Sequence, residues 1–234
     1  HIYIGDIGNN HGNRTDLKIY KIDKSDYLNA NSVTAETIDF NYADQTDFSS
    51  NTNNNVWDAG ALVSFDENNL MLFSKNWVTN ETSAYLIPKT PGSYSLSGQA
   101  STLPSGGLVT GATYNPITEK LFLIGYTEFL TPFVWMSENF SGNDIFSGSN
   151  NQTSLQAAFL FEQVGAIAFV NTNRYFITSE TFSVSNPISI SDYAKLISFN
   201  EIPLGNATQL TIIQQPNQQN CDGSLSTSIE VQLQ

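Results

Sequence analysis

The sequence predicts an all-β fold, specifically a β-propeller built from antiparallel blades of roughly fifty residues. Three observations predict it. The dipeptide Gly-Ala recurs at Gly60-Ala61, Gly111-Ala112 and Gly165-Ala166. Fourteen residues after each Gly, an apolar run ends in a small residue: Ser74, Gly125 and Ser179. No window longer than ten residues keeps a helical period free of Gly, Pro or runs of Asn and Ser. The repeating unit is therefore a hairpin whose first strand begins at the Gly. Small residues there let innermost strands crowd together around an axis.

The elements follow in order. Ile2-Tyr3-Ile4-Gly5 matches the second strand of a unit, with Gly5 in the small slot, and Leu17 to Ile22 matches the third. Counting back fourteen residues from Gly5 passes beyond His1, so the innermost strand of this blade is expected upstream. The alternating segment Thr227 to Leu233 is the other candidate to fill it. The next unit runs from Gly60 to Phe65, turns at Asp66-Glu67-Asn68-Asn69, and returns from Leu70 to Ser74. In the following one, Gly111 to Tyr114 leads through Asn115-Pro116-Ile117-Thr118 into Leu121 to Gly125. In the last, Gly165 to Val170 leads through Asn171-Thr172-Asn173 into Tyr175 to Ser179. Third strands are expected at Ala84 to Ile87, Phe133 to Met136 and Lys195 to Phe199. Weaker fourth strands are expected at Ser93 to Leu96, Leu155 to Phe161 and Gln209 to Gln214. Polar loops are expected at Asp44 to Asn55, Glu138 to Gln152 and Thr181 to Tyr193. The propeller thus spans residues 1–214 with an incomplete first blade, and 215–234 reads as a linker with a C-terminal strand or tail. Four blades are visible, and about five or six are expected in the complete protein.

Among 234 residues only 13% are charged, about half the usual share, so Asn, Ser, Thr and Gln must supply the polar surface. Asp and Glu outnumber Lys and Arg 22 to 9, for a net charge of −13. That charge repels nucleic-acid backbones and anionic lipid, which weighs against both as partners. It suits a secreted protein that meets cations or neutral ligands, and equally a surface that acidity keeps soluble. No apolar stretch reaches the roughly eighteen residues of a membrane-spanning helix. One cysteine, Cys221, allows no internal disulfide. Asn-x-Ser/Thr sequons begin at Asn13, Asn80, Asn139, Asn151 and Asn206.

In such hairpins the residue after the small slot returns to the level where the first strand begins. Asp6, Lys75, Tyr126 and Glu180 occupy that position, and Asp58 precedes Gly60 by two residues. All five are expected on one rim, as parts of a shared pocket or as an unremarkable exposed edge. The densest polar motif runs from Gly5 to Asp16 and holds Asn9, Asn10, His11 and Arg14. Its Asp and Asn oxygens suit Ca²⁺, which takes six to eight oxygen ligands, although the spacing of the known calcium loop is absent. The same residues also suit a tight turn in which Asp6 and the Asn side chains bond backbone amides and Arg14 pairs with an acid. Trp77, Tyr126, Trp135 and Phe140 lie near the rim, where aromatic faces beside amides bind sugars; they also suit packing between sheets. The candidate ligand-binding set is Asp6, Asn9, Asn10, Asp58, Lys75, Trp77, Tyr126 and Glu180.

No catalytic residue stands out. His11 is the only internal histidine, and no His/Cys cluster, Gly-x-Ser-x-Gly elbow, P-loop or dinucleotide fingerprint occurs. Asp6 with Glu180 would serve acid–base chemistry only if the fold held the two close.

The segment Ile4 to Ile22 (Ile-Gly-Asp-Ile-Gly-Asn-Asn-His-Gly-Asn-Arg-Thr-Asp-Leu-Lys-Ile-Tyr-Lys-Ile) resembles secreted β-propeller proteins of Bacteroidota. So do Phe73-Ser74-Lys75-Asn76-Trp77, Gly107-Leu108-Val109-Thr110-Gly111-Ala112 and the Phe140 to Gly148 loop. The resemblance implies further blades upstream and an exported or outer-membrane-surface protein, often a cargo of type nine secretion. In that family a Glu often stands where this chain has Gly60 and Gly165. Related lactonase and esterase-like propellers hold a metal with channel acids and amides, so this chain departs from them at both positions.

Three functions are expected. The first is a non-catalytic extracellular or cell-surface binding module, taking a glycan or protein ligand on the rim. The second is a Ca²⁺-dependent hydrolase of the lactonase or phosphoesterase-like propeller type. The third is an accessory subunit of an outer-membrane complex. The two glycines in place of acids and the single internal histidine weigh against the enzyme.

Overall fold

The computed structural model describes residues 1–155, 162–185, 189–201, 210–212 and 229–233. The fold is all-β. Short apolar strands separated by Asn-, Asp- and Gly-rich turns form four main sheets, each with a hairpin-connected antiparallel core.

The first sheet begins with β1 (Ile2–Asp6), β2 (Lys18–Ile22) and β3 (Glu36–Tyr42), paired antiparallel in that order. One turn of helix, α1 (Lys24–Asn29), sits between β2 and β3, capped by the Asp23 side chain accepting from the Ser25 amide at 2.7 Å. The second sheet is β4 (Ala59–Ser64), β5 (Asn69–Ser74) and β6 (Thr82–Pro88). The chain then returns to the first sheet. There β7 (Gly92–Leu96) lies parallel to β3, and Ala43 donates its amide to Leu96 O at 2.8 Å. The Ser93 to Leu96 segment, expected as the fourth strand of the second unit, is thus the fourth strand of the first. Tyr94 and Leu96 pack into the core between the two sheets, while β8 (Thr102–Leu103) takes the free edge beside β6.

The third sheet is β9 (Leu108–Asn115), β10 (Lys120–Tyr126), β11 (Pro132–Glu138) and β12 (Ser149–Ser154). Its fourth strand precedes the expected Leu155 to Phe161, of which 156–161 lie outside the described residues. Ser-Asn-Asn-Gln-Thr-Ser is a wholly polar edge strand with no apolar alternation to reveal it. The expected Glu138 to Gln152 loop therefore ends inside a strand.

The fourth sheet is β13 (Val164–Phe169), β14 (Arg174–Ser179) and, after a small hairpin of β15 (Phe182–Val184) with β16 (Ile190–Asp192), β17 (Leu196–Glu201). That hairpin replaces much of the loop expected at Thr181 to Tyr193. Outside β17 lie β18 (Leu210–Ile212) and β19 (Ile229–Leu233), antiparallel to each other, with β19 parallel to β17. The C-terminal strand thus does not stand beside β1, which is the edge of its own sheet. It extends the last sheet, and Cys221 falls outside the described residues.

Alternation along each strand divides its side chains between two neighbours. Leu70, Leu72, Tyr85 and Ile87 face the first sheet, with Ile19, Ile38, Phe40 and Tyr42. Met71, Phe73 and Ala84 face the third, with Leu121 and Leu123. Phe122, Ile124 and Val134 face the fourth, with Tyr175, Ile177, Ile197 and Phe199. Successive sheets therefore share three cores and pack face to face in chain order.

The first strands β4, β9 and β13 lie side by side. Each carries a register shift at its glycine end, at Ala59/Ala61, opposite Ile124/Gly125, and at Val164/Ala166. Such bulges bend a strand and strengthen its twist. A Cβ on Gly60 would lie 2.4 Å from Val109 O, and one on Gly111 would lie 2.9 Å from Gly165 O. Backbone meets backbone at both places, which is why the repeat holds Gly there.

Candidate functional site

Two backbone bonds build the rim. Lys75 donates its amide to Asp58 O at 2.8 Å, and Glu180 donates its amide to Gln163 O at 2.9 Å. In the third sheet Tyr126 pairs with Leu108. Each unit thus closes with the residue after its small slot beside the start of its own first strand. Because β4, β9 and β13 adjoin, these closing residues come together.

A cavity of about 260 Å³ opens there. Its wall includes Asn10, Asp58, Lys75, Tyr126 and Glu180, all expected from the sequence. It also includes Thr110, Gln163 and the backbone at Gly8, Gly60 and Gly165. Gln163 had a signal that sequence reasoning missed: it precedes Gly165 by two residues, as Asp58 precedes Gly60. Thr110 is held by its hydroxyl, which donates to Val164 O at 2.5 Å and so ties the third sheet to the fourth.

Asp58 is 1% exposed, and its carboxylate is well satisfied. Oδ1 accepts from the Asn9 amide at 2.6 Å and the Ala59 amide at 2.9 Å, and Oδ2 accepts from the Trp77 indole at 2.9 Å. A buried carboxylate needs such donors to remain charged. Lys75 extends its ammonium over the same indole, 4.7 Å from the ring centre. Asn9 and Trp77 therefore do not line the cavity; they fix Asp58 and Lys75, which do.

Asp6 also stands outside the wall. Its carboxylate accepts from Arg14 Nη1 at 2.7 Å, while Arg14 Nε donates to Asp16 at 2.9 Å. The Arg14 hydrogen bond holds the Asp6 carboxyl below the usual carboxylate range. The rest of the motif is a turn of the kind the Asn and Gly content suggests. Gly12 donates its amide to Asn9 O at 2.8 Å, and Arg14 donates its amide to Asn9 Oδ1 at 3.0 Å. The Asp44 to Asn55 loop clamps the turn: the Asn53 amide and Asn55 Nδ2 both donate to Asn10 O, at 2.8 and 3.1 Å. Among the described residues no three His, Cys, Asp or Glu side chains stand close enough to hold a metal ion together. Asp6, bound by Arg14, does not share the cavity wall with Glu180, so the condition for acid–base work by the two is not met at this cavity.

Tyr126 faces both core and cavity. Burial pushes its phenol above the ordinary tyrosine value, and the negative charge of Glu180 pushes it further. A residue of the third sheet thus feels one of the fourth. The other rim aromatics serve packing. Trp135 lies between the second and third sheets with its indole donating to Ser105 O at 3.0 Å, and Phe140 packs on Phe65 and Tyr114.

The cavity therefore gathers an ammonium, two carboxylates, a phenol, side-chain amides and glycine backbone from separate units. Such a wall can grip a small polar ligand by several directed bonds. The chain matches no protein-family model, and no curated protein matches it.

Proposed function

We propose that this protein is a non-catalytic binding module of β-propeller architecture, taking a glycan or protein ligand in the rim cavity. The observation that carries the reading is the convergence of Asn10, Asp58, Lys75, Tyr126 and Glu180 on one cavity. Residues at equivalent slots of different units have different chemistry, as a recognition surface needs and a purely structural repeat does not.

The blade reading is supported by three bulged hairpins in equivalent positions, adjoining first strands and three successive cores. The outer face of the fourth sheet, with Ala166, Ala168, Phe176 and Leu196 around a depression of about 310 Å³, suits a further sheet packed in the same way. An acidic surface poor in charged residues suits an exported or surface-held protein.

The test is a glycan and peptide array probed with the wild-type chain and with Tyr126→Ala. A signal lost in a variant that keeps the wild-type melting temperature supports the site. A signal unchanged by Tyr126→Ala overturns it.

A further inference from the structure

We infer that the cavity's ligand is a small zwitterion, a free amino acid or short peptide whose ammonium and carboxylate are both unblocked. The inference rests on the binding-module reading and, within it, replaces the broad glycan-or-protein ligand with a small molecule that carries both charges. Lys75 of the second sheet and Glu180 of the fourth both border the cavity. Among the described residues neither forms an ion pair, with the other or with any third group. The other cations near this end are engaged: Arg14 bonds Asp6 and Asp16, and Lys195 bonds Glu162 and Asp192. The wall's second carboxylate, Asp58, is taken up by three hydrogen bonds, and the Lys75 ammonium rests on the neutral Trp77 ring. Lys75 and Glu180 thus bring to the cavity one positive and one negative charge without an ionic partner, from different units.

A ligand entering the cavity displaces water from both. A neutral sugar leaves each charge without a counter-ion, and a simple anion or cation satisfies only one. A zwitterion satisfies both, its carboxylate on Lys75 and its ammonium on Glu180. Trp77 is not a free stacking platform for a sugar, since the Lys75 ammonium already covers its ring at 4.7 Å. The volume of about 260 Å³ lies below the roughly 300 Å³ at which drug-sized pockets begin, so the ligand is compact. Backbone at Gly8, Gly60 and Gly165 brings peptide groups to the wall, where they can bond a peptide ligand's own amides.

The experiment titrates the full chain with glycine, diglycine and triglycine, which differ in charge separation and distinguish a free amino acid from a peptide. N-acetyl-diglycine and diglycine amide serve as analogues keeping one charge each. Binding is read by calorimetry and by melting shift. One zwitterion is expected to bind, with each single-charge analogue weaker by about tenfold or more. Lys75→Met should erase the advantage over diglycine amide, and Glu180→Gln the advantage over N-acetyl-diglycine. If a variant melts abnormally, the analogue comparison on the wild-type chain decides alone. Single-charge analogues that bind as tightly as the zwitterion, or no zwitterion binding at all, overturn the inference. In either case array binding that Tyr126→Ala abolishes leaves the binding-module reading standing. Zwitterion binding indifferent to both Lys75→Met and Glu180→Gln overturns the inference as well, since the ligand then sits elsewhere.

Discussion

The Trp77 indole donates to the buried Asp58 carboxylate at 2.9 Å, beneath the ammonium of Lys75. One side chain thus anchors the two charged residues of the second unit that reach the cavity. Trp77→Phe keeps an aromatic ring at this place but removes the indole N–H together with the five-membered ring that carries it. It should cost about 1.5–3 kcal/mol, the range for a hydrogen bond to a charged group. Urea denaturation checks this; a cost within about 0.5 kcal/mol, typical of a surface change, would show that the bond does not support Asp58.

The three repeat glycines should respond unequally to Ala. Gly60→Ala drives a methyl to 2.4 Å from Val109 O, so it must displace the neighbouring strand. A loss of about 1–3 kcal/mol or more follows, as in overpacked cores. At Gly165 a Cβ meets nothing closer than Glu180 Oε1 at 3.5 Å. Gly165→Ala should therefore be neutral or stabilising by up to about 1 kcal/mol. Equal losses at both positions in thermal melts would refute the crowding of first strands.

These glycines also show how far the sequence could be read. The Gly-Ala recurrence and the fourteen-residue step located all three first hairpins; crowded backbones admit no side chain at Gly60 and Gly111, whereas Gly165 has room for one. They put Asp6, Asp58, Lys75, Tyr126 and Glu180 on one rim, since equivalent ends of adjoining hairpins must meet; that four of these line a cavity and Asp6 does not is seen only in the structure. The step of two residues that marks Asp58 would have marked Gln163 too. Other features left no local trace. Ser149–Ser154 is an edge strand with polar residues on both faces, held by its neighbour rather than by a buried face. Gly92–Leu96 reads as a strand, but nothing in its own residues says that it pairs with Glu36–Tyr42 across a sheet boundary. Asn9 and Trp77 looked like ligand contacts because polar and aromatic types suit both binding and support; only the hydrogen bonds to Asp58 separate the roles.

The third core should be sensitive to one ring. Phe122 is fully buried, 4.4 Å from the Tyr175 ring centre and 6.2 Å from that of Phe199. Phe122→Ala should cost about 3–5 kcal/mol. Phe129, 71% exposed on the loop after β10, should tolerate Ala within about 0.5 kcal/mol. A small cost at Phe122 in denaturant titration would contradict packing of the third sheet on the fourth.

The Asp6–Arg14 pair sets an acid response. The Arg14 hydrogen bond lowers the folded pKa of Asp6 below its unfolded value of about 3.9. A lowered acid stabilises the fold above the unfolded pKa, and this contribution disappears as pH falls through the folded pKa. Arg14→Gln should therefore raise the Asp6 pKa and remove that part of the stability gained between the two values. Carboxyl NMR titration checks it; an unchanged Asp6 pKa would show that the pair does not hold in solution.

Convergence of separate units on one cavity is tested most directly by titrating Tyr126 in chains labelled at tyrosine ring carbons, with and without Glu180→Gln. The two residues belong to the third and fourth sheets, and the Glu180 charge adds to the burial that raises the Tyr126 phenol. Removing that charge should lower the Tyr126 pKa while leaving it above the ordinary tyrosine value. An identical Tyr126 titration in both chains would mean that Glu180 does not face Tyr126, and the shared cavity would be contradicted.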